Sequence, residues 1–178
     1  MNELAALTAR LFVSDAGLER EFEQRLAEAS TLAFRVAYGV LRSREDAEDV
    51  AQEAAVRAYR SFASLRNRDS FRGWLVRTAW RLALDRRRSD RRRGAREQAV
   101  VAVADPPPST EEIAAARQAE ERVWQALDRL PEKLRIVVVL GAVEGHGTRE
   151  VAMLLGLPEG TVKSRLFRAR QQLLEILR

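Results

Sequence analysis

The most specific pattern in the sequence is Thr148-Arg-Glu-Val-Ala-Met-Leu-Leu-Gly-Leu-Pro-Glu-Gly-Thr-Val-Lys-Ser-Arg-Leu-Phe-Arg168. Two helices that meet at a sharp turn need a small residue inside the first helix and a glycine between them, and Ala152 and Gly156 supply these. Pro158 suits the first turn of the second helix, where its missing N–H has no partner to lose. The apolar residues expected to form the shared core are Val151, Leu155, Val162 and Leu166. The stretch therefore predicts a helix-turn-helix.

The second helix of this motif leaves a polar, cationic and aromatic face outside the core. A protruding helix of this composition can read base edges in the major groove and bind phosphates. The alternative is a helical hairpin with a solvated basic face; the coincidence of small residue, turn glycine, proline and basic face favours DNA binding. The residues predicted to contact DNA are Pro158, Glu159, Gly160, Thr161, Lys163, Ser164, Phe167 and Arg168.

Upstream of the motif, the chain is interrupted by Asp105-Pro-Pro-Pro-Ser109. Consecutive prolines lack amide donors and impose extended backbone, which ends any helix. Helical periodicity continues on both sides, and no segment shows the sustained alternation of a strand. We therefore expect an all-α protein of two small helical domains joined by a flexible linker, the C-terminal one containing the helix-turn-helix. The predicted bounds are 17–93 for the first domain, 94–115 for the acidic, proline-containing linker and 116–178 for the second domain.

Caps and breakers predict the individual helices. Ser43 is a suitable N-cap, and acidic residues follow it in the first turn, where carboxylates favour the positive end of the helix dipole. Proline and glycine fall where other helices should start or stop. The expected helices cover about 17–42, 44–62, 70 into the arginine cluster, 111–129, 132–143, 148–155 and 159–177.

Composition excludes most catalytic chemistry. The 178 residues include no cysteine and one histidine, so thiolate metal sites, cysteine nucleophiles and most triads are absent. We predict no catalytic residue, no metal site and no cofactor, and we expect His146 to be a turn residue. The apolar run 136–143 is too short to span a bilayer, so no direct membrane insertion is expected and the chain is expected in the cytoplasm.

Charge is distributed unevenly along the chain. The segment 81–96 carries eight arginines and two aspartates, whereas 97–121 carries six acidic residues and one arginine, and 160–178 carries five basic residues and one glutamate. Basic segments of this kind are typical of proteins that bind nucleic acid.

Several stretches resemble a known family. Leu130-Pro-Glu-Lys-Leu-Arg-Ile-Val-Val-Val-Leu140 and the stretch 155–170 resemble the promoter-reading domain of extracytoplasmic-function (ECF) sigma factors of bacterial RNA polymerase. In the first domain, Arg44-Glu-Asp-Ala-Glu-Asp-Val-Ala-Gln-Glu53 resembles their polymerase-binding stretch. Phe71-Arg-Gly-Trp-Leu-Val-Arg77 with 82–86 resembles the part that opens and reads the melted promoter. The resemblance covers roughly 20–93 and 118–177.

The resemblance implies a role for each group of matching residues. In the first domain it implies binding of core RNA polymerase, on its beta-prime clamp helices, by Asp46, Asp49, Gln52 and Glu53. It implies recognition and melting of the −10 element by Arg77, Trp80, Arg81, Arg86, Arg87 and Arg88. We expect Trp74 in the core, and Trp80 on the basic face, touching DNA or packing on the linker or the other domain.

The resemblance also implies that the second domain reads the −35 element, and that the beta flap of core polymerase is a further partner surface. The implied partners are core RNA polymerase, promoter DNA and an anti-sigma factor, which in this family is commonly membrane-anchored. The implied function is non-enzymatic: a transcription initiation factor that directs core polymerase to specific promoters and assists their opening.

Two alternatives remain open at this stage. Ala54, Ala55 and the pair Trp80-Arg81 depart from what relatives often carry. A sigma-like adaptor or antagonist would bind polymerase without opening promoters, and a stand-alone helix-turn-helix regulator would bind duplex DNA without polymerase.

Overall fold

A computed structural model describes the backbone of residues 3–97 and 111–177, and the side chains of 16–90, 92, 118, 119 and 121–177. Within these residues the chain is helical and contains no strand. The helices are α1 Glu3–Leu41, α2 Arg44–Phe62, α3 Phe71–Glu97, α4 Glu111–Arg129, α5 Glu132–Val138, α6 Thr148–Leu155 and α7 Glu159–Ile176. A short 3-10 turn, Arg68–Ser70, precedes α3, and a π-helical turn, Val139–Val143, continues α5. The all-α prediction is confirmed.

The chain divides into two compact units, Met1–Arg87 and Arg88–Arg178, so that the division falls within α3. Residues 98–110, which hold most of the predicted linker, lie outside the described residues. The bounds 17–93, 94–115 and 116–178 therefore stay a prediction. None of the helices in the described ranges is long and apolar enough to cross a membrane.

The first unit is built on α1 and α2. The residues of α1 that are buried at helical spacing are Phe22, Ala29, Leu32, Ala33, Val36, Ala37 and Val40. Phe22, Phe62 and Phe71 come from three different helices, and their rings pack edge to face with centroids 5.3–5.9 Å apart. Ser43 caps α2 as predicted, because its Oγ accepts a hydrogen bond from the amide of Asp46 at 3.3 Å.

The structure corrects the predicted positions of two tryptophans on α3. Trp80 is only 5% exposed. It lies one helical turn after Val76 and one before Ala83, both completely buried, so it continues the inward stripe. Trp74, expected in the core, is half-buried and lines a surface cavity. The prediction that Trp80 projects from the basic face is wrong. It relied on the arginines adjacent in the sequence and overlooked the spacing of three and four that places Trp80 with the buried apolar residues. Trp80 therefore offers no ring to DNA in this conformation.

The second unit packs α4, α5 and α6 against α7. Its buried cluster comprises Leu127, Leu130, Leu134, Val138 and Ala169, with Trp124, Leu166, Leu173 and Ile176 packed against it. One charged residue, Arg135, is also buried, at 5% exposure. Its Nε donates to the carbonyl of Leu127 at 2.8 Å, and its Nη2 donates to that of Leu130 at 3.0 Å. Arg135 thus donates to carbonyls at the end of α4, where intrahelical N–H partners run out.

Candidate functional site

The turn between α6 and α7 has the geometry of a helix-turn-helix. Gly156 ends α6 in the left-handed conformation, with φ +65°, and the amide of Leu157 donates to the carbonyl of Ala152 at 2.9 Å. Val151 and Val162 are fully buried between the helices. Leu154 is a further buried apolar residue of α6, at 4% exposure. Leu155, which the sequence predicted in the shared core, is half-buried. The helix-turn-helix prediction is confirmed.

Gly156 is the residue on which this turn depends. We expect Gly156→Ala to lower the free energy of unfolding of the second unit by about 1–2 kcal/mol, because an L-residue strains at positive φ. Gly160→Ala is the matched control: Gly160 is within a right-handed helix, and nothing lies within 4 Å of an added Cβ. Urea denaturation of the full chain measures both. Equal effects of the two substitutions would contradict the assigned role of Gly156.

The outward face of α7 carries four of the eight residues predicted to contact DNA. Lys163, Ser164, Phe167 and Arg168 are exposed, while Val162 and Ala169 on the opposite face are completely buried. Phe167 is 65% exposed, and a solvated aromatic ring beside cations is suited to contact a thymine methyl group. Of the remaining predicted residues, Pro158 and Gly160 are exposed at the start of the helix, and Thr161 is half-buried.

Glu159, the first residue of α7, is engaged within the protein. Its Oε1 accepts a hydrogen bond from the Thr148 hydroxyl at 3.0 Å and pairs with the Lys163 ammonium at 2.9 Å. These contacts, the Lys163 bond first, hold the pKa of the Glu159 carboxyl below its usual range. Glu159 is therefore charged at neutral pH.

The acidic residues predicted on α2 differ in what they contact. Asp46 pairs with Arg86 of α3 at 2.6 Å, and Glu53 pairs with Arg57 at 2.6 Å. Asp49 and Gln52 are exposed on the surface of α2. The helix thus presents an acid and an amide to solvent, flanked by acids that are already paired.

One of the arginines predicted on α3, Arg81, lines a surface cavity of about 430 Å³. Its lining residues are Arg57, Arg60, Ser61, Trp74, Thr78, Arg81, Leu82 and Asp85. A half-buried aromatic ring beside three guanidinium groups can stack a base and bind its phosphates. Sequence reasoning missed Arg57 and Arg60, which α2 contributes, although their spacing of three places them on one helix face.

The other arginines of this group lie along α3. Arg86 and Arg88 are exposed, and Arg77 and Arg87 are half-buried. Burial, and secondarily the neighbouring charge of Arg81, lowers the pKa of Arg77. Arg77, Arg86, Arg87 and Arg88 are not among the residues that line the cavity.

An apolar groove of about 360 Å³ lies beside the C-terminal half of α7. Its lining residues are Val138, Ala142, Leu166, Arg170, Leu173, Leu174 and Leu177. Leu174 and Leu177 are more than half exposed, at 52% and 58%. Exposed leucines around an apolar groove are typical of a protein-binding surface. Sequence reasoning assigned no residues to it.

Comparison with known proteins identifies the family. Residues 26–93 match the family model described as Sigma-70 region 2, and residues 120–173 match Sigma-70, region 4. The ECF RNA polymerase sigma factor SigW of Bacillus subtilis is 31% identical over 154 residues, which cover 82% of each chain. This chain belongs to the ECF sigma factors. The resemblance seen in the sequence is therefore confirmed, and the protein is a promoter-directing sigma factor of RNA polymerase.

Other relatives agree with this ECF assignment. SigM of Mycobacterium tuberculosis is 35% identical over 162 residues, covering 91% of this chain and 80% of the relative. SigE of Mycolicibacterium smegmatis is 34% identical over 158 residues, and this chain spans 61% of its length.

Solved structures show the same architecture. CnrH, in complex with the cytosolic domain of CnrY, is similar with a TM-score of 0.60 and 27% identity, covering 89% of this chain and 88% of CnrH. RpoE of Bartonella quintana, solved with the anti-sigma factor NepR, has a TM-score of 0.55 and 23% identity, covering 89% of this chain and 97% of RpoE, and supports the fold alone.

Proposed function

We propose that this ECF sigma factor performs its three tasks on separate surfaces: the exposed face of α2 binds core polymerase, the cavity between α2 and α3 opens and reads the −10 element, and α7 reads the −35 element. The observation that supports this most directly is on α7, where Lys163, Phe167 and Arg168 are exposed while the opposite face is buried. The sigma factor itself catalyses nothing, and the polymerase carries out RNA synthesis. Its action is accordingly placed in the cytoplasm, with the polymerase.

Polymerase binding is assigned to the exposed face of α2. Asp49 and Gln52 reach solvent, and the side chain of Val56, one turn further, is 50% exposed. An acid and an amide beside an apolar residue form a small patch with polar edges, which suits a protein interface. The beta-prime clamp helices are the proposed partner, with Asp46 and Glu53 at the rim.

Promoter opening is assigned to the cavity on α3. A base that leaves the duplex must find stacking and a counter-charge for its phosphates. Trp74 supplies a half-buried ring, and Arg57, Arg60 and Arg81 supply the charge. Arg77, Arg86, Arg87 and Arg88 extend the basic surface along the helix and are assigned to the backbone of the opened strand.

The apolar groove on the second unit is assigned to protein partners. We propose that the beta flap occupies it in the holoenzyme, and that an anti-sigma factor competes for the surfaces of the free protein. The solved complex of CnrH with the cytosolic domain of CnrY supports an anti-sigma partner. Membrane anchoring of that partner stays an expectation from the family.

Runoff transcription with purified core polymerase tests the whole proposal. Genomic DNA fragments are transcribed with and without this protein, and the transcript starts are sequenced. We expect discrete new starts that share two upstream elements. Polymerase binding without new starts would favour the adaptor or antagonist, and duplex binding without polymerase binding would favour the stand-alone regulator.

The cavity assignment predicts the effect of removing the Trp74 ring. Trp74→Ala is expected to lower the affinity of the holoenzyme for single-stranded −10 DNA by about 1–3 kcal/mol, the usual contribution of one base stacked on an aromatic ring. Trp74→Phe, which keeps a ring, should retain most of the affinity. Anisotropy of a labelled single-stranded −10 oligonucleotide measures both. Equal losses in the two variants would argue against stacking.

A further inference from the structure

Glu159 is held from two directions at the start of the recognition helix. The Thr148 hydroxyl, on the first residue of α6, donates to the same carboxylate oxygen that receives the Lys163 ammonium. The distances are 3.0 Å from Thr148 and 2.9 Å from Lys163. Lys163 lies one turn after Glu159 on α7, whereas Thr148 belongs to the preceding helix, so the three side chains form a bridge across the turn.

This bridge lies where a negative charge is costly for DNA binding. Each phosphate is an anion, and a protein gains most of its non-specific affinity by placing cations on phosphates. Glu159 neutralises the ammonium of Lys163 on the outward face of α7, and its own negative charge repels the phosphate backbone of DNA. A carboxylate in the first turn stabilises the helix dipole, but that effect does not require the hydroxyl of Thr148 or the ammonium of Lys163.

Restraint of Lys163 can increase sequence discrimination, which offsets the loss of general DNA affinity. A free lysine side chain has many rotamers and can reach several phosphates, so its contribution to binding is independent of sequence. A lysine held by a fixed carboxylate presents its ammonium at one position, from which its remaining donors can reach the acceptors of one base.

We propose that Glu159 is a positioning residue that restrains Lys163 for base discrimination, and that Thr148 is the residue that fixes Glu159. The proposal rests on the −35 function assigned to α7 and revises the sequence prediction that Glu159 itself contacts DNA. In this arrangement the bridge lowers affinity for DNA in general and raises the preference for the correct −35 element.

The proposal is tested with the reconstituted holoenzyme and two labelled promoter fragments. The fragments come from a start found by runoff transcription and differ only in a scrambled −35 element. Binding constants for both are measured by anisotropy over a range of salt concentrations. The variants are Glu159→Gln and Thr148→Val, which remove the carboxylate or the hydroxyl at nearly constant shape, with Thr148→Ser as the variant that keeps the hydroxyl.

Glu159→Gln is expected to bind the scrambled fragment more tightly, by roughly 2–5-fold, and to lose at least about threefold in the ratio of correct to scrambled affinity. The released Lys163 adds a phosphate contact, so the slope of log K against log salt should steepen by about 0.9. Thr148→Val should change both quantities in the same direction by a smaller amount, and Thr148→Ser should match the natural chain.

A double-mutant cycle with Lys163→Ala separates positioning from direct reading. If Glu159 acts through Lys163, Glu159→Gln leaves the affinity ratio unchanged once Lys163 is absent. An equal loss of ratio in both backgrounds would mean that Glu159 reads a base itself and would overturn the proposal, as would an unchanged ratio in the natural background. If the unmodified holoenzyme fails to distinguish the two fragments, the −35 assignment fails first, and the proposal fails with it.

Discussion

Replacing Asp49 and Gln52 together by alanine is expected to lower the affinity of the sigma factor for core polymerase by about 10–100-fold. Both side chains are exposed on α2, so their loss leaves the packed side of the helix unchanged. The minority of interface residues that dominate binding cost more than about 1 kcal/mol each when truncated and cluster near the centre, and 1.4 kcal/mol is a factor of ten in Kd. The polymerase-facing patch would keep only Val56 and its paired neighbours.

The matched control for this variant is Glu23→Ala with Gln24→Ala, which removes an exposed acid and amide from α1. Titration of labelled sigma factor with core polymerase should show no change for the control. The reciprocal variant, Lys163→Ala with Arg168→Ala, should keep polymerase affinity and weaken −35 binding. Loss of both activities in each folded variant would contradict the division between α2 and α7.

Replacing Arg135 by methionine is expected to destabilise the second unit by about 3 kcal/mol. The guanidinium donates to main-chain carbonyls near the end of α4 and lies beside Asp128, with an Nη1–Oδ1 distance of 3.5 Å. Methionine fills similar space but donates nothing, so buried carbonyls would lose their partners, and removal of one member of a buried charged network costs several kcal/mol.

Arg122→Met is the control for that substitution, because Arg122 is exposed on α4 and its replacement should change stability by no more than about 0.5 kcal/mol. Hydrogen exchange of the full chain, monitored at the amides of α5 and α7, measures both variants under native conditions. Exchange should accelerate in the second unit of Arg135→Met and remain unchanged in α1 and α2. Similar exchange rates in the two variants would show that Arg135 is not a structural cap.

The limits of several helices were predictable because local chemistry sets them, whereas α1 begins at Glu3 rather than near residue 17 and α5 gives way to a π-helical turn at Val139. The predicted ranges 44–62, 111–129 and 148–155 coincide with α2, α4 and α6. Ser43 begins the first of these, and Gly156 ends the last with a backbone conformation that glycine adopts without strain. The helix-turn-helix followed from the same kind of information, since its small residue, glycine and apolar spacing lie within one short stretch.

The placement of side chains between helices was less predictable. The run of arginines along α3 suggested a continuous basic face, and only packing within the first unit shows that Trp80 is buried while Trp74 borders a cavity. Nothing in the sequence distinguishes Arg135 from a surface cation. Its carbonyl partners lie near the end of the preceding helix, and only the packing of the two helices brings them together.

By itself, the sequence determined the helices, the helix-turn-helix and the family. Helix caps, helix-breaking residues and the spacing of apolar residues are local features that can be recognised from a few neighbouring positions. Tertiary structure alone decided which residues meet: the cavity that joins Arg57 and Arg60 to Trp74, the cap that Arg135 provides and the bridge from Thr148 through Glu159 to Lys163. The physical reason is that such contacts depend on the angle and register at which two helices pack. Those quantities are set by the fit of whole surfaces rather than by any local pattern.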